Sequence, residues 1–383
     1  MKIVHLITSF QLGGAEKVAI DLSLKLKDLN HECIIVAVMK NHTAFGQTLK
    51  STLKKNNISF HELGVNNYFL SIISVPLQLL SLLRKLSPDI VHSHTEFPDF
   101  ILASTLRLNK LMGDKKISVV RTIHNTVLWP KRKLFARVTE KMFVNDGIIF
   151  VSKGAQKAYS DLRNKLSLSI SKNAALIYNG IDVKAIEKYD NHTSTEDIGI
   201  ILDSNYVNFC FAGRLIEQKG FDVLVKAVKQ LPAKYLKKIR LYVFGAGKLI
   251  SLQHYIKAHN LPIIIHDPVN DVHKYFSHFD YIIMPSRFEG LGMVSIESLG
   301  AGVPLLASNA EGLVEALPAD WPLIVQNESA YDLTAMIRNV IDGLYDREML
   351  AKMGKQFIKS NFDLNKSVKQ YEKFYSQYLK MRS

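Results

Sequence analysis

Short apolar runs recur along the chain, and stretches with helical spacing separate most of them. In the first half, the runs at 2–8, 32–38, 89–94, 117–123, 147–151 and 175–178 predict strands. In the second half, those at 206–212, 239–244, 262–266, 280–284, 303–307 and 322–325 do the same. Strands alternating with helices predict an α/β protein of two Rossmann-like, parallel-sheet domains with right-handed crossovers. Such sheets take ligands at the carboxyl ends of their strands. The polar, poorly patterned stretch from Glu187 to Ser204 marks the boundary. The expected organisation is a first domain over 1–185, a linker or loop over 186–204, a second domain over 205–362 and a C-terminal helix over 363–383 that packs back on the first domain. Two domains of similar size on a short linker imply a central cleft that both face.

Composition changes this picture only in places. The chain has 383 residues, of which 47% are apolar and 22% charged, enough for two full cores. Cys33 and Cys210 each sit in an apolar run, so both read as buried strand thiols of a reducing compartment. Met1 to Thr8 is too short and mixed for a signal peptide and fits a first strand; a cytoplasmic location is expected. The uncharged stretch from Leu63 to Leu83 is interrupted by Asn66, Asn67, Ser71, Ser74, Pro76 and Gln78, which favours a buried or surface-docked helix over a membrane span. The net charge of +14 is uneven, with ten Lys/Arg against two acidic residues between Ser104 and Lys141. That segment reads as a solvated basic face or as a surface for an anionic membrane leaflet or substrate. No nucleic-acid motif accompanies it.

The densest chemistry lies between Pro285 and Gly300. After the apolar run Tyr281-Ile282-Ile283-Met284, the segment Ser286-Arg287-Phe288-Glu289-Gly290-Leu291-Gly292 forms a Gly-flanked turn, and the pattern becomes helical after Gly292. A turn feeding a helix N-terminus offers free N–H groups and a positive dipole end to a phosphate. Glu289 and Glu297 flank that anion site. Eight residues of helix rise about 12 Å, roughly the reach of a diphosphate, so the pair suits hydroxyls on either side of it. A sugar nucleotide has that layout. Gly213-Arg214 closes one strand and Lys219-Gly220 opens the next helix, so two cations sit where they can converge on a diphosphate, the guanidinium as a fork and the ammonium as a point charge. Gly13-Gly14 follows the first strand and lets backbone approach a ligand. His124 ends a strand, where a histidine can donate to a substrate oxygen or simply be structural. His92 and His94 share a strand face, but the sequence supplies no evident third ligand, and no metal is expected. Gly245-Ala246-Gly247-Lys248 lacks the first glycine and, with Leu249, the Ser/Thr of a phosphate loop. The absence of GxGxxG disfavours a NAD-dependent dehydrogenase.

Together these segments resemble the retaining glycosyltransferases of family four, which have the GT-B architecture. The resemblance rests on Gly13-Gly14-Ala15-Glu16, His124, Val151-Ser152, Asn179-Gly180-Ile181-Asp182, Gly213-Arg214 with Lys219-Gly220, the Glu289/Glu297 pair, and Gly302-Val303-Pro304. It implies that Gly14 gives backbone room at the donor diphosphate, which Arg214 and Lys219 neutralise. Glu289 would hold the donor sugar's hydroxyls and Glu297 the ribose. Gly290, Leu291, Gly292 and Met293 would present backbone, and His124 would contact the sugar near the reacting centre. Asn179-Gly180 would lie at a hinge. Asp267 stands where the family often has glycine beside the base, and Glu311-Gly312-Leu313-Val314-Glu315 keeps one glycine of a usual pair.

The resemblance implies transfer of a hexose or N-acetylhexosamine from a nucleoside-diphosphate sugar, UDP ahead of GDP, without a metal or other cofactor. The implied acceptor is a glycan or lipid-linked glycan of surface polysaccharide, capsule or lipopolysaccharide synthesis. Trp129-Pro130-Lys131-Arg132-Lys133-Leu134-Phe135 suits peripheral attachment to the inner face of a membrane. A sugar-nucleotide epimerase and a silent sugar-nucleotide-binding protein of the same architecture are the competing readings.

Overall fold

The structure is a computed structural model that describes residues 1–382 apart from 12, 66, 114, 115, 131, 190–192, 248 and 249. Leu12 of the Gly-Gly turn, Asn66 of the apolar stretch, Asp114, Lys115 and Lys131 of the basic segment, residues 190–192 of the expected linker, and Lys248-Leu249 therefore lie outside the described residues.

The chain divides into two compact units. The first, Met1–Asn179 with Asn365–Ser383, is built on strands β1 (Lys2–Ile7), β2 (Glu32–Ala37), β3 (Ser59–Glu62), β4 (Ile90–His94), β5 (Val119–Ile123), β6 (Gly147–Phe150) and β7 (Ala174–Leu176). Their order is β3-β2-β1-β4-β5-β6-β7, all parallel. The second unit, Gly180–Leu364, is built on β8 (Val207–Ala212), β9 (Ile239–Phe244), β10 (Ile263–His266), β11 (Tyr281–Met284), β12 (Leu305–Ser308) and β13 (Ile324–Val325). Their order is β10-β9-β8-β11-β12-β13, again all parallel. Each sheet reverses its winding once, between β1 and β4 and between β8 and β11. In parallel sheets, that reversal is where the strand ends open a ligand crevice.

Every expected strand is present, and β3 is an addition. Its sequence, Ser59-Phe60-His61-Glu62, is polar at three of four positions because it lies at a sheet edge with one neighbour. The expected boundary moves. The units part at Asn179/Gly180 and at Leu364/Asn365, so 186–204 belongs to the second unit. It is not a loop throughout: helix Val183–Tyr189 enters it, and Thr195–Ile198 forms a 3₁₀ turn closed by a Ser194/Asp197 capping box. The polar character that suggested a linker comes from that exposed surface turn. The two chain crossings run side by side, with Ile181 N–H donating to Phe362 O and Leu364 N–H to Ile181 O.

Helix Leu364–Lys380 lies on the first sheet, where the Tyr375 hydroxyl and a His92 ring nitrogen are 2.6 Å apart and His31 meets Glu372 at 2.8 Å. Cys33 and Cys210 are buried on β2 and β8. The uncharged stretch becomes helix Tyr68–Leu86. Val75, Leu79 and Leu83 turn into the core, each burial contributing about 1.5–3 kcal/mol, while Leu70, Ile73 and Leu77 stay 56%, 75% and 59% exposed. Among the described residues, no helix is long and apolar enough to cross a membrane.

Candidate active site

In the second unit, the residues that follow β8 and β11 meet. β8 runs into Gly213-Arg214, a 3₁₀ turn Glu217–Lys219, and then helix Phe221–Lys229. β11 runs into the loop that carries Glu289, and then helix Met293–Gly300. Lys219 Nζ donates to Glu289 Oε1 at 2.6 Å, and Ser286 Oγ donates to the same oxygen at 2.7 Å. Both side chains are largely buried, at 16% and 7% exposure, so this charge-assisted bond is worth more than the ~0–1 kcal/mol of a surface pair. Arg214 is exposed and, among the described residues, its side chain has no partner.

Two glycines make the close approach possible. Gly220 has φ +65°, and a Cβ there would lie 1.9 Å from Pro285 O. Gly312 has φ +79°, and its Cβ would lie 2.2 Å from Glu289 O. A methyl group at either position would push the loops apart. Arg287 braces them from outside. Its two terminal nitrogens fork onto Asp222 at 2.8 and 2.9 Å, Nε reaches Glu328 at 2.6 Å, and Nη1 reaches Glu217 O at 2.6 Å. This fork holds the Asp222 carboxyl below the usual carboxylate range and pushes the guanidinium up. Gln218 Nε2 adds a bond to Phe288 O at 3.1 Å.

Helix Met293–Gly300 has Gly292 at its cap, in the left-handed region, with no side chain capping it. Gly290, Leu291 and Gly292 are buried beneath it. Glu297 is buried in the second turn, with His273 Nδ1 at 3.8 Å. The helix begins only at Met293, so the interval from Glu289 to Glu297 is half loop. The expected helical rise of about 12 Å between the two carboxylates does not apply, because the glycines hold Glu289 back in the turn.

The first unit gathers a different set. Gly14 opens helix Gly14–Asp28 and is exposed beyond β1. Thr8 and Thr95, at the ends of β1 and β4, have hydroxyls 3.1 Å apart, and Thr95 is held at φ +77°. For a β-branched residue that conformation is strained. His124 follows β5 and is half-buried. Its Nε2 lies 3.1 Å from His94 Nδ1, and His94 Nε2 lies 3.1 Å from His5 Nδ1. Burial pushes His5 and His124 down to about 3 and His94 and His92 well below the ordinary range, so all four rings are neutral at pH 7.

His5 is the third histidine that the sequence did not reveal: its ligand atom, with those of His92 and His94, falls within 4.8 Å. Five of the six ring nitrogens already carry hydrogen bonds, those of His92 to Tyr375 Oη and Thr122 Oγ1. A metal there would have to break that set. The basic segment is also partly interior. Arg121 is fully buried with Glu140, Asp146 and Asp99, while Lys133, Arg137 and Lys141 remain exposed beside Leu134 and Val138.

Both halves have known counterparts. The family described as Glycosyltransferase Family 4 matches residues 12–185, and that described as Glycosyl transferases group 1 matches residues 196–359. The chain belongs to the family-four glycosyltransferases. The glycosyltransferase is 22% identical to the capsular polysaccharide biosynthesis glycosyltransferase CapM of Staphylococcus aureus, over 93% of this chain and 88% of that one. It is 24% identical to the N-acetyl-alpha-D-glucosaminyl L-malate synthase of Bacillus anthracis, over 99% and 98%. Among solved structures, Anabaena HepE in complex with UDP-glucose superposes with a TM-score of 0.79 at 18% identity, over 98% of this chain and 100% of that chain. That likeness establishes the GT-B fold of this glycosyltransferase.

Proposed function

We propose that this glycosyltransferase moves a hexose or N-acetylhexosamine, with retention of configuration, from a nucleoside-diphosphate sugar, UDP ahead of GDP, to a glycan or lipid-linked glycan in surface polysaccharide synthesis. The observation that carries the reading is the contact of Lys219 with Glu289, 2.6 Å apart where the winding of the second sheet reverses, on the loop that also carries exposed Arg214. Arg214 and Lys219 meet the donor diphosphate, and the uncapped helix at Met293 adds its N–H groups. Glu289 takes the sugar hydroxyls, Glu297 the ribose hydroxyls, and Gly290, Leu291 and Gly292 present backbone. In the first unit, Gly14 is assigned to a donor diphosphate and His124 to a donor sugar. The nucleotide is a good leaving group once its charge is met by preorganised donors, so no metal is needed. The departing phosphate then accepts the acceptor's proton on the face it leaves. The UDP-glucose complex of HepE and the capsular role in CapM's name support the choice of donor and acceptor class.

Transfer assays with UDP- and GDP-sugars on membrane glycolipid extracts test the reading. Lys219→Ala and Glu289→Ala are each expected to lose about 10²–10³-fold in kcat while remaining folded by circular dichroism. Near-native turnover of either variant removes the role given to it. An inverted anomer in the product, read by NMR, removes the retaining assignment. Turnover of the donor alone into an epimer would favour the epimerase reading.

A further inference from the structure

The hydrogen-bonded histidines of the first unit carry more information than their contacts alone. His5 Nδ1 meets His94 Nε2, and His94 Nδ1 meets His124 Nε2, each at 3.1 Å. His92 stands outside this line, its nitrogens taken by Tyr375 and Thr122, and its ring lies tilted against His94 with centroids 4.1 Å apart. A neutral imidazole has one N–H and one bare nitrogen. A hydrogen bond between two ring nitrogens needs one proton between them. In this line, only two arrangements satisfy both bonds. Either every N–H points outward, from His5 through His94 to His124, or every N–H points inward.

The inner end decides between them. Among the described residues, His5 Nε2 is buried with no partner. In the outward arrangement, that atom is a bare lone pair. In the inward arrangement, it is an N–H donor buried without an acceptor. Orphaned buried N–H donors are the rarer of the two. We propose that His5 and His94 act as positioning residues that lock His124 as its Nδ1–H tautomer, so that His124 presents a hydrogen-bond donor, not an acceptor, at its outer nitrogen. His124 Nδ1 has no partner among the described residues, which leaves that donor for a substrate oxygen such as a sugar hydroxyl. This use of the donor rests on the placement of His124 at the donor sugar; the tautomer itself does not.

Long-range ¹H–¹⁵N spectra of histidine-labelled protein, with the His124 signal assigned by its loss in His124→Gln, read the tautomer directly. The expected pattern is a protonated Nδ1 and a bare Nε2 coupled across the hydrogen bond to His94 Nδ1–H. A protonated Nε2 at His124 in the wild type overturns the proposal. His94→Met keeps an apolar filler and a weak acceptor but no donor, and should shift His124 toward Nε2–H. An unchanged tautomer overturns the part given to His94. With that shift, kcat should fall roughly tenfold, the worth of one hydrogen bond, at unchanged donor KM. A shifted tautomer with native kcat overturns the use of His124 at the sugar and leaves the tautomer assignment standing. One equivalent of copurifying zinc in the wild type overturns the hydrogen-bonded line itself.

Discussion

Replacing Arg121 by methionine tests how the first unit tolerates a charged interior. The guanidinium is fully buried and bonds Asp146 at 2.6 Å, Glu140 at 3.1 and 3.2 Å, Asp99 at 3.3 Å and the Tyr159 hydroxyl at 2.7 Å. The guanidinium carbon also lies 4.2 Å over the Phe143 ring, and methionine fills part of that space with an apolar chain while removing the charge. Glu140 retains Arg163 at 3.2 Å, whereas Asp146 and Asp99 lose the cation that faces them. Asp99 is already pushed up to about 7, by burial ahead of the opposing pull of Arg121, so its protonation adds little new cost at pH 7. Asp146 is the expensive group. It too is pushed up by burial ahead of the opposing pull of Arg121, and without that pull it must be held protonated; removing one partner of such a buried pair costs about 3–5 kcal/mol at pH 7. At pH 5 the same proton uptake costs less, because the unfolded carboxyl is closer to its own protonation range. The sign follows from proton uptake. An acid whose folded pKa lies above its unfolded value stabilises the fold fully only below the unfolded pKa, near 4, and loses that stability as pH rises toward the folded pKa. The variant should therefore be penalised most at neutral pH. The protein has two tryptophans, Trp129 in the first unit and Trp321 in the second, so Trp129 fluorescence in a Trp321→Phe background reports the first unit alone during urea unfolding. A loss below about 1 kcal/mol at pH 7, or equal losses at pH 5 and 7, would refute the reasoning.

Other expectations follow from the same geometry. Gly312→Ala forces a Cβ to 2.2 Å from Glu289 O at φ +79°, so it should cost about 1–3 kcal/mol in urea unfolding and most of the transfer activity; an active, fully stable variant would show that the loop shifts freely. Because Lys219 and Glu289 share one contact, the double alanine variant should lose less than the sum of the single losses, by about 0.5–3 kcal/mol in a kcat/KM cycle, and additive losses would mean that the pair acts independently. The exposed stripe Leu70, Ile73 and Leu77, with basic Lys133, Arg137 and Lys141, supports a peripheral membrane contact. Wild type should co-sediment with anionic vesicles at low salt and Ile73→Glu/Leu77→Glu should not; absence of wild-type binding ends the membrane reading. Transfer should also survive dialysis against EDTA, and loss of activity restored by a divalent ion would overturn the metal-free assignment.

The fold was legible because its signals are local. Most buried parallel strands are apolar runs such as Tyr281-Ile282-Ile283-Met284, and burial on both faces leaves no alternation to blur them. The edge strand Ser59–Glu62 escaped because its composition is set by half-exposure. The boundary escaped because a polar surface turn and a linker look alike in sequence. The true crossings, at Asn179-Gly180 and Leu364, are fixed by contact: a Cβ on Gly180 would lie 2.6 Å from Leu364 Cα, a partner far along the chain.

The site was legible as residue types at strand ends and illegible as partnerships. Arg214, Lys219, Glu289 and Glu297 could be named from spacing, but the spacing misplaced Glu289 on a helical rise that starts only at Met293. What holds Glu289 is non-local: Lys219, Ser286, and a loop clamped by Arg287 onto Asp222 and Glu328. Arg287 lay inside the motif and looked like one more cation for phosphate. Its fork onto Asp222 commits it to the scaffold and leaves Arg214 as the exposed guanidinium of the β8 loop. The same logic separates the histidines. His92 and His94 are two residues apart, yet one is held by a tyrosine of the last helix, while the other links His5 to His124. Residue identity carries the chemistry that is available; the partner that takes up each nitrogen or oxygen decides which part of it remains for a substrate.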